Sequence, residues 1–262
     1  MRILFFGDIV GKLGRKAVRT YLPKLVEKYQ IDFVIANGEN ASHGKGLTEK
    51  NYFELIDAGV NAITLGNHWD SKREIAGYIN EATSLIRPIN LLGEVGGVGS
   101  IRFDVNGVPV RVTNVLGTAF MHDEVANPYL ALKEVIDSEE QIIHIVDYHA
   151  EATGEKMCYA YSFDGKVSAV LGTHTHVQTN DAKVLEGGTA YVSDVGMCGA
   201  ANGVLGFDKQ SVMNKTLFGS ETPFQLNDHD QPMINAVVIN VDENTKLAKE
   251  IFLVKIIGDK NG

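Results

Sequence analysis

The sequence predicts an α/β fold with mixed sheets, and three observations carry that expectation. From Ile3 to Leu65, short apolar runs alternate with amphipathic stretches in β-α-β-α-β order, the pattern of parallel strands joined by crossover helices. Asn106-Gly107 separates two further apolar runs and is a strong two-residue hairpin signal, so part of the pairing is antiparallel. Several apolar runs end in carboxylate, amide or imidazole residues, and in such sheets ligands bind beyond the carboxyl ends of the strands.

Taken in order, Ile3-Leu4-Phe5-Phe6 is continuously apolar, reads as a fully buried strand and delivers Asp8 at its end. Between Gly14 and Tyr29, apolar residues recur at Val18, Leu22, Leu25, Val26 and Tyr29, one face of a helix, which Pro23 is expected to kink. Phe33-Val34-Ile35-Ala36 is the second strand and leads into Asn37-Gly38-Glu39-Asn40 and a loop containing Gly44 and Gly46. Thr48 is placed to cap a helix reaching about Ala58. Ala62-Ile63-Thr64-Leu65 forms the third strand and ends in Gly66-Asn67-His68.

Gly93 to Gly99 reads as a glycine-rich loop, and the runs Ile101 to Val105 and Val108 to Val112 flank the hairpin turn. A helix is expected around Tyr129 to Asp137. Ile142 to Val146 is a buried strand leading to Asp147-Tyr148-His149, and Thr189 to Val192 leads to Asp194. Val167 to Leu171 delivers Gly172-Thr173-His174-Thr175-His176. Here two imidazoles at i and i+2 point the same way if the backbone stays extended. Ile234 to Val241 and Lys249 to Ile256, joined through Asp242-Glu243-Asn244, form a second hairpin. No repeat or linker intervenes, and residues 1–262 are read as a single domain.

A hydrophobic content of 44% is enough to build a core, which sets disorder aside. The net charge of -9 argues against general affinity for nucleic-acid backbones or anionic membranes, both of which need a positive field. With only Cys158 and Cys198 there is no disulfide framework; both are expected to be buried thiols in a reducing compartment. The apolar run at the N-terminus is too short for a signal peptide or membrane span, and no later run is longer, so a cytoplasmic protein is expected.

The strand ends gather carboxylates at Asp8 and Glu39, amides at Asn40 and Asn67, and imidazoles at His149, His174 and His176. That mixture suits two transition-metal ions, because iron, manganese and zinc accept nitrogen with oxygen, whereas calcium and magnesium sites are nearly all oxygen. Two carboxylates against two dications leave positive charge for an anionic substrate. A water shared between such ions is deprotonated near neutral pH and becomes an in-line nucleophile on phosphorus.

In this order the residues resemble the calcineurin-like metallophosphoesterases. Gly7-Asp8, Gly38-Glu39-Asn40, Gly66-Asn67-His68, His149 and Gly172-Thr173-His174-Thr175-His176 match five successive motifs. Two departures, Val10 where a histidine usually stands and Glu39-Asn40 in place of an Asp, are similar to the YmdB-like subgroup of bacterial phosphodiesterases. So are Asn37-Gly38-Glu39-Asn40-Ala41 and Asp147-Tyr148-His149-Ala150-Glu151-Ala152-Thr153. The resemblance implies a four-layer α/β/β/α sandwich of two mixed sheets. It also implies a binuclear centre of divalent or mixed-valence ions, iron first with manganese or zinc as alternatives, and hydrolysis of 2′,3′-cyclic nucleotides. By that matching Asp8, Glu39, Asn40 and His176 hold one ion, Asn40 replacing the ligand lost at Val10. Glu39 bridges to a second ion held by Asn67, His149 and His174. His68 faces the phosphate as proton donor, the task imidazole suits near neutral pH.

Other readings are weaker. His144 lies inside an apolar run and reads as a hydrogen-bonded core residue; His122 and His229 are assigned no chemistry. His43, on the loop after Asn40, is a candidate for facing substrate, Trp69 reads as packing before base stacking, and Asp194 ends a strand with no derivable role. Gly38 through Lys45 and Gly7 through Lys12 lack phosphate-loop spacing, and no Gly-x-Ser-x-Gly elbow exists. The expected partner is a small phosphodiester or cyclic nucleotide, with no long nucleic acid and no membrane; self-association is left open. The same centre would also serve a phosphomonoesterase or nuclease. A metal-binding regulator with vestigial activity is the alternative from another class, against which the complete ligand set and His68 stand.

Overall fold

The computed structural model describes residues 1–259. Its first half contains β1 (Arg2–Phe6), β2 (Asp8–Ile9), α1 (Gly11–Tyr29), β3 (Phe33–Asn37), α2 (Glu49–Asp57), β4 (Ala62–Thr64), α3 (Ile75–Tyr78), β5 (Leu85–Ile86), β6 (Ser100–Val105) and β7 (Val108–Leu116). There follow α4 (Pro128–Asp137), β8 (Ile143–His149), α5 (Thr153–Ser162), β9 (Ala169–Thr173), β10 (Lys183–Val184), β11 (Ala190–Val192), β12 (Met197–Ala200), α6 (Lys209–Phe218), β13 (Pro232–Val241) and β14 (Ala248–Ile257).

The strands form two sheets. The first runs β2-β12-β13-β1-β3-β4-β5, with β14 also paired to β13, and the second runs β10-β11-β9-β8-β7-β6. β1, β3, β4 and β5 are parallel neighbours, while β13 is antiparallel to both β1 and β14. In the second sheet β7, β8, β9 and β11 are parallel and the edges β6 and β10 antiparallel. Both sheets are mixed, as expected.

Side-chain alternation along the strands builds three apolar interfaces. Leu4 and Phe6 face α1 and α2 through Val18, Leu22 and Leu55. Ile3 and Phe5, on the other face of β1, meet Val112, Ile145, Leu171 and Val192 of the second sheet. Val146 and Tyr148 of β8 face outward onto Leu132 of α4 and Tyr159 and Ala160 of α5. The result is the four-layer α/β/β/α sandwich. Burial on both faces is why β1 and much of β8 read as continuous apolar runs instead of alternating. Each such side chain taken fully from water contributes about 1.5–3 kcal/mol.

Local details follow the sequence closely at turns and caps. Asn106 (φ 54°) and Gly107 (φ 83°) both occupy the left-handed region that the hairpin turn requires, and Val105 pairs with Val108 across it. The Thr48 side chain accepts from the Asn51 N–H and caps α2. α1 begins at Gly11, earlier than the apolar spacing suggests, and runs through Pro23 without a break in helix. The helices α3, α5 and α6 have no sequence forecast. α5 buries Lys156 beside Tyr159 and Ala160, and Ser211 is the one buried residue of α6, so neither presents an apolar stripe. The expectation for the cysteines holds for Cys198, which is buried, and fails for Cys158, which is exposed on the outer side of α5.

Candidate metal centre

The carboxyl ends of the parallel strands in both sheets open onto one seam, and the strand-end residues meet there. Asp8 follows β1, Glu39 and Asn40 follow β3, and Asn67 and His68 follow β4, all from the first sheet. His149 ends β8, and His174 and His176 follow β9, from the second. Asp8, Glu39 and His149 are at most 1% exposed. At Gly66 a side chain would collide with Glu39 Oε2 and the His149 ring, so only glycine lets β4 enter the centre.

Glu39 lies between two groups. On one side Asn40 Nδ2 donates to Glu39 Oε1 (2.9 Å) and sits 3.1 Å from His176 Nε2, which is 3.7 Å from Asp8 Oδ1. On the other, Glu39 Oε1 is 3.2 Å from His149 Nε2, which is 3.0 Å from Asn67 Oδ1 and 3.1 Å from His174 Nδ1. The His68 backbone N–H donates to Glu39 Oε2 (3.0 Å) while its side chain is free to face elsewhere.

Surrounding groups orient the imidazoles. Thr173 Oγ1 donates to Asp147 Oδ1 (2.6 Å) and therefore accepts from His149 Nδ1–H (2.8 Å), leaving Nε2 with its lone pair toward Glu39. His174 Nε2 is held by Glu151 Oε2 at 3.1 Å, leaving Nδ1 for the same point. Ligand atoms of Glu39, His149 and His174 lie within 4.8 Å of one another. Electron pairs thus converge where only a cation can satisfy them. On the other side of Glu39, Asp8 Oδ1 is buried with no hydrogen-bond partner among the described residues, an orphan that a second cation would satisfy. The residues fit a pair of metal ions.

Charge coupling tells the same story. Burial would lower His149, but Glu39, Asp8 and Asp147 outweigh it and raise the imidazole to about 9, so a proton serves as the cation when no metal does. Burial, with His149 beside it, lowers His174 to about 3. Burial raises Asp8 to about 6, against the pull of His176 and His149. Burial acts upward on Glu39 too, yet His149 and the His68 N–H hold it well below the usual carboxylate range. His68 is lowered, chiefly by burial, with Lys45 and His149 adding to it and Glu39 and Asp123 opposing.

The His174-Thr175-His176 loop is not extended, contrary to the i, i+2 argument. His174 (φ 105°) and His176 (φ 65°) both take left-handed backbone, strained for histidine, and the two rings reach the centre from a tight bend. What holds the bend is Asp194, whose Oδ2 accepts from Thr175 N–H (3.0 Å), Thr175 Oγ1 (2.8 Å) and Lys156 Nζ (2.9 Å). Lys156, 1% exposed, also donates to Thr173 O (2.8 Å). Asp194 thereby gains the role its position alone did not reveal. Lys156 was invisible as a functional residue, since a lysine in a polar helix reads as solvated surface. Asp147 links the sheets beneath His149, accepting from Asn37 Nδ2 (2.9 Å) and Thr64 Oγ1 (2.5 Å) of the first sheet. His144 donates or accepts with Thr113 Oγ1 (2.8 Å) inside the core, as expected, and Trp69 is partly buried and packs against the core on the α1 and α2 face of the first sheet. His43 is exposed at the rim of a separate groove between α1 and α2.

The sequence profile of the YmdB-like protein family matches residues 4–254. A Bacillus subtilis (strain 168) protein described as 2′,3′-cyclic-nucleotide 2′-phosphodiesterase is 43% identical over 262 residues, covering 99% of this chain and 98% of its own. A Mycoplasma pneumoniae protein described as a putative phosphatase/phosphodiesterase is 40% identical, covering 99% of this chain and 94% of its own. A crystal structure described as a novel phosphatase from Mycoplasma pneumoniae superposes with a TM-score of 0.93 at 39% identity, over 99% of this chain and 94% of that one. With its sandwich, its strand-end cluster and these matches along nearly its whole length, the chain belongs to the YmdB-like protein family.

Proposed function

We propose that this protein is a metal-dependent phosphodiesterase that hydrolyses small phosphodiesters, 2′,3′-cyclic nucleotides first among them. The observation that carries the reading is the convergence of carboxylate, amide and imidazole side chains on both sides of one buried carboxylate, Glu39, with His68 beside it. The activity named for the Bacillus subtilis relative supports the choice of substrate.

Asp8, Glu39, Asn40 and His176 would hold one ion, and Glu39, Asn67, His149 and His174 the other. Bound there, the ions supply an activated water and the positive charge that an anionic diester needs. The mixed nitrogen and oxygen donors support iron, with manganese or zinc as substitutes. Thr173 and Glu151 fix the ring faces of His149 and His174, and Lys156 with Asp194 keeps the strained bend in place. His68 donates a proton to the leaving oxygen. Burial lowers its affinity for that proton in the free enzyme, and the anionic phosphate acts in the opposite direction once substrate is bound. Cyclic-diester opening yields a phosphomonoester. Both cysteines are free thiols, which supports a reducing, cytoplasmic setting, and no helix among the described residues is long and apolar enough to cross a membrane.

The deciding experiment is turnover of 2′,3′-cyclic adenosine monophosphate by protein as purified, after chelator treatment, and after restoring iron, manganese or zinc. Activity should vanish on stripping and return with metal. Full activity in stripped protein, or no diester turnover by metal-replete protein, would remove the proposal.

A further inference from the structure

Ten residues after β7, from Gly117 to Ala126, form a loop whose ends are pinned and whose tip is not. Asn90, 2% exposed, closes the base of the loop: its Nδ2 donates to Leu116 O (2.9 Å) and Ala126 O (3.0 Å), and its Oδ1 accepts from Leu116 N–H (3.0 Å). The Gly117 N–H donates to the carbonyl of His149 (3.0 Å), placing the departure of the loop against a residue of the metal centre. Glu155 Oε1 then accepts from Thr118 N–H and Oγ1, each at 2.8 Å. The Ala119 N–H reaches the same carboxylate at 3.2 Å, and α5, which carries Glu155, starts two residues after Glu151, the partner of His174. The tip therefore leaves the chain beside the metal centre, in the class of compact loops with closed ends that commonly carry function.

Phe120 occupies that tip. It is 86% exposed, the most exposed large apolar side chain among the described residues, and its backbone has φ 62°, a conformation a bulky residue adopts only when its surroundings impose it. Nothing in the core gains from the ring, so packing does not explain it. An anchored loop that turns a phenyl group outward, beside a centre that takes the phosphate of a nucleotide, presents a π face where a base would lie. Such stacking needs no hydrogen-bond readout and serves any base.

We propose that Phe120 is the base-stacking platform of the enzyme, a substrate-contacting residue that sets its preference for nucleosidic diesters over diesters without a base. The inference rests on the diesterase reading above and adds the recognition of the nucleoside half of the substrate. Because Phe120 touches substrate and not the reacting phosphorus, it acts on binding. Purines, with the larger ring system, should gain more than pyrimidines.

The test compares wild type with Phe120→Ala and Phe120→Trp on 2′,3′-cyclic adenosine monophosphate and on ribose 2,3-cyclic phosphate, which lacks the base. Product binding, read with 3′-adenosine monophosphate by calorimetry, is measured alongside. Phe120→Ala should raise KM for the nucleotide and Kd for the product by roughly 5- to 150-fold, the range for loss of one stacked base. It should leave kcat, the base-free substrate, metal content and Tm unchanged, and Phe120→Trp should restore binding. An equal fall on both substrates, or unchanged nucleotide affinity, overturns the platform. If wild type turns over neither substrate, the diesterase reading fails separately. Calorimetry still decides Phe120 in that case: product affinity that falls in Phe120→Ala and returns in Phe120→Trp supports the platform, and affinity indifferent to both removes it.

Discussion

Lys156 Nζ lies 2.9 Å from Asp194 Oδ2 in an ion pair buried at both ends, and the same carboxylate oxygen holds Thr175 between the two histidines of the bend. Charges this deep are kept when both partners are present and are costly when one is removed. Lys156→Met should therefore lose about 3–5 kcal/mol of stability in urea unfolding, the range for an orphaned buried charge. Adding Asp194→Asn should recover part of that loss. A single variant within 1 kcal/mol of wild type, on the scale of about 3–5 for a working pair, would show that the pair contributes little.

Glu39 stands between both groups of proposed ligands, so Glu39→Gln is expected to lower the occupancy of both proposed metal positions together while leaving the fold intact. Elemental analysis after dialysis reads this directly. Two ions retained at full activity would make some other residue the bridge.

At the adjacent Asn67 and His68 the expected outcomes differ in kind. Asn67 Oδ1 lies 3.0 Å from His149 Nε2, so Asn67→Ala should deplete metal on that side. His68 gives Glu39 only its backbone N–H, so His68→Ala should keep both ions and lose roughly 10²–10⁴ in turnover, the size of a general acid–base contribution. The defect should be larger for a cyclic nucleotide, whose ribose alkoxide needs a proton, than for bis-para-nitrophenyl phosphate. Equal defects would make His68 a phosphate-positioning residue.

His144 gives a pH signature away from the centre. Burial, with Arg111 nearby, lowers it from 6.5 to about 3. Above 6.5 neither state is protonated there; below it the unfolded chain takes up a proton that the folded protein refuses, so stability falls with pH. The contribution reaches about 2 kcal/mol by pH 5. His144→Gln should remove it, seen as a smaller drop in urea midpoint between pH 7 and pH 5 than in wild type. Identical drops would place the acid sensitivity elsewhere.

The parts of the fold legible beforehand are those where burial leaves a simple pattern. Residues 3–6 of β1, 33–36 of β3 and 62–63 of β4 are continuously apolar because both their faces are covered, and Asn106-Gly107 announces its turn. Asp8, Glu39, Asn67 and His149 could be gathered from sequence because chain polarity in a parallel sheet puts every carboxyl end on the same edge. What escaped depends on three-dimensional company. Lys156 is buried only because Asp194 and the Thr173 carbonyl wait for it, and the left-handed turns at His174 and His176 exist only because Asp194 holds Thr175. Cys158 was misplaced because α5 has no apolar stripe to reveal which face it buries.

Asp147 carries a consequence for how the halves of the molecule communicate. Its carboxylate takes Asn37 and Thr64 from one sheet and, through Thr173, steadies His149 on the other. With the proposed ligands drawn from both sides of that seam, metal affinity should be a gauge of sheet alignment. A cavity cut at Phe5 or Val192, in the apolar layer between the sheets, should then loosen ion binding without touching a ligand. Conversely, loading the ions should slow amide exchange in β1 and β9 together, as two plates bolted at one edge stop sliding along their whole length.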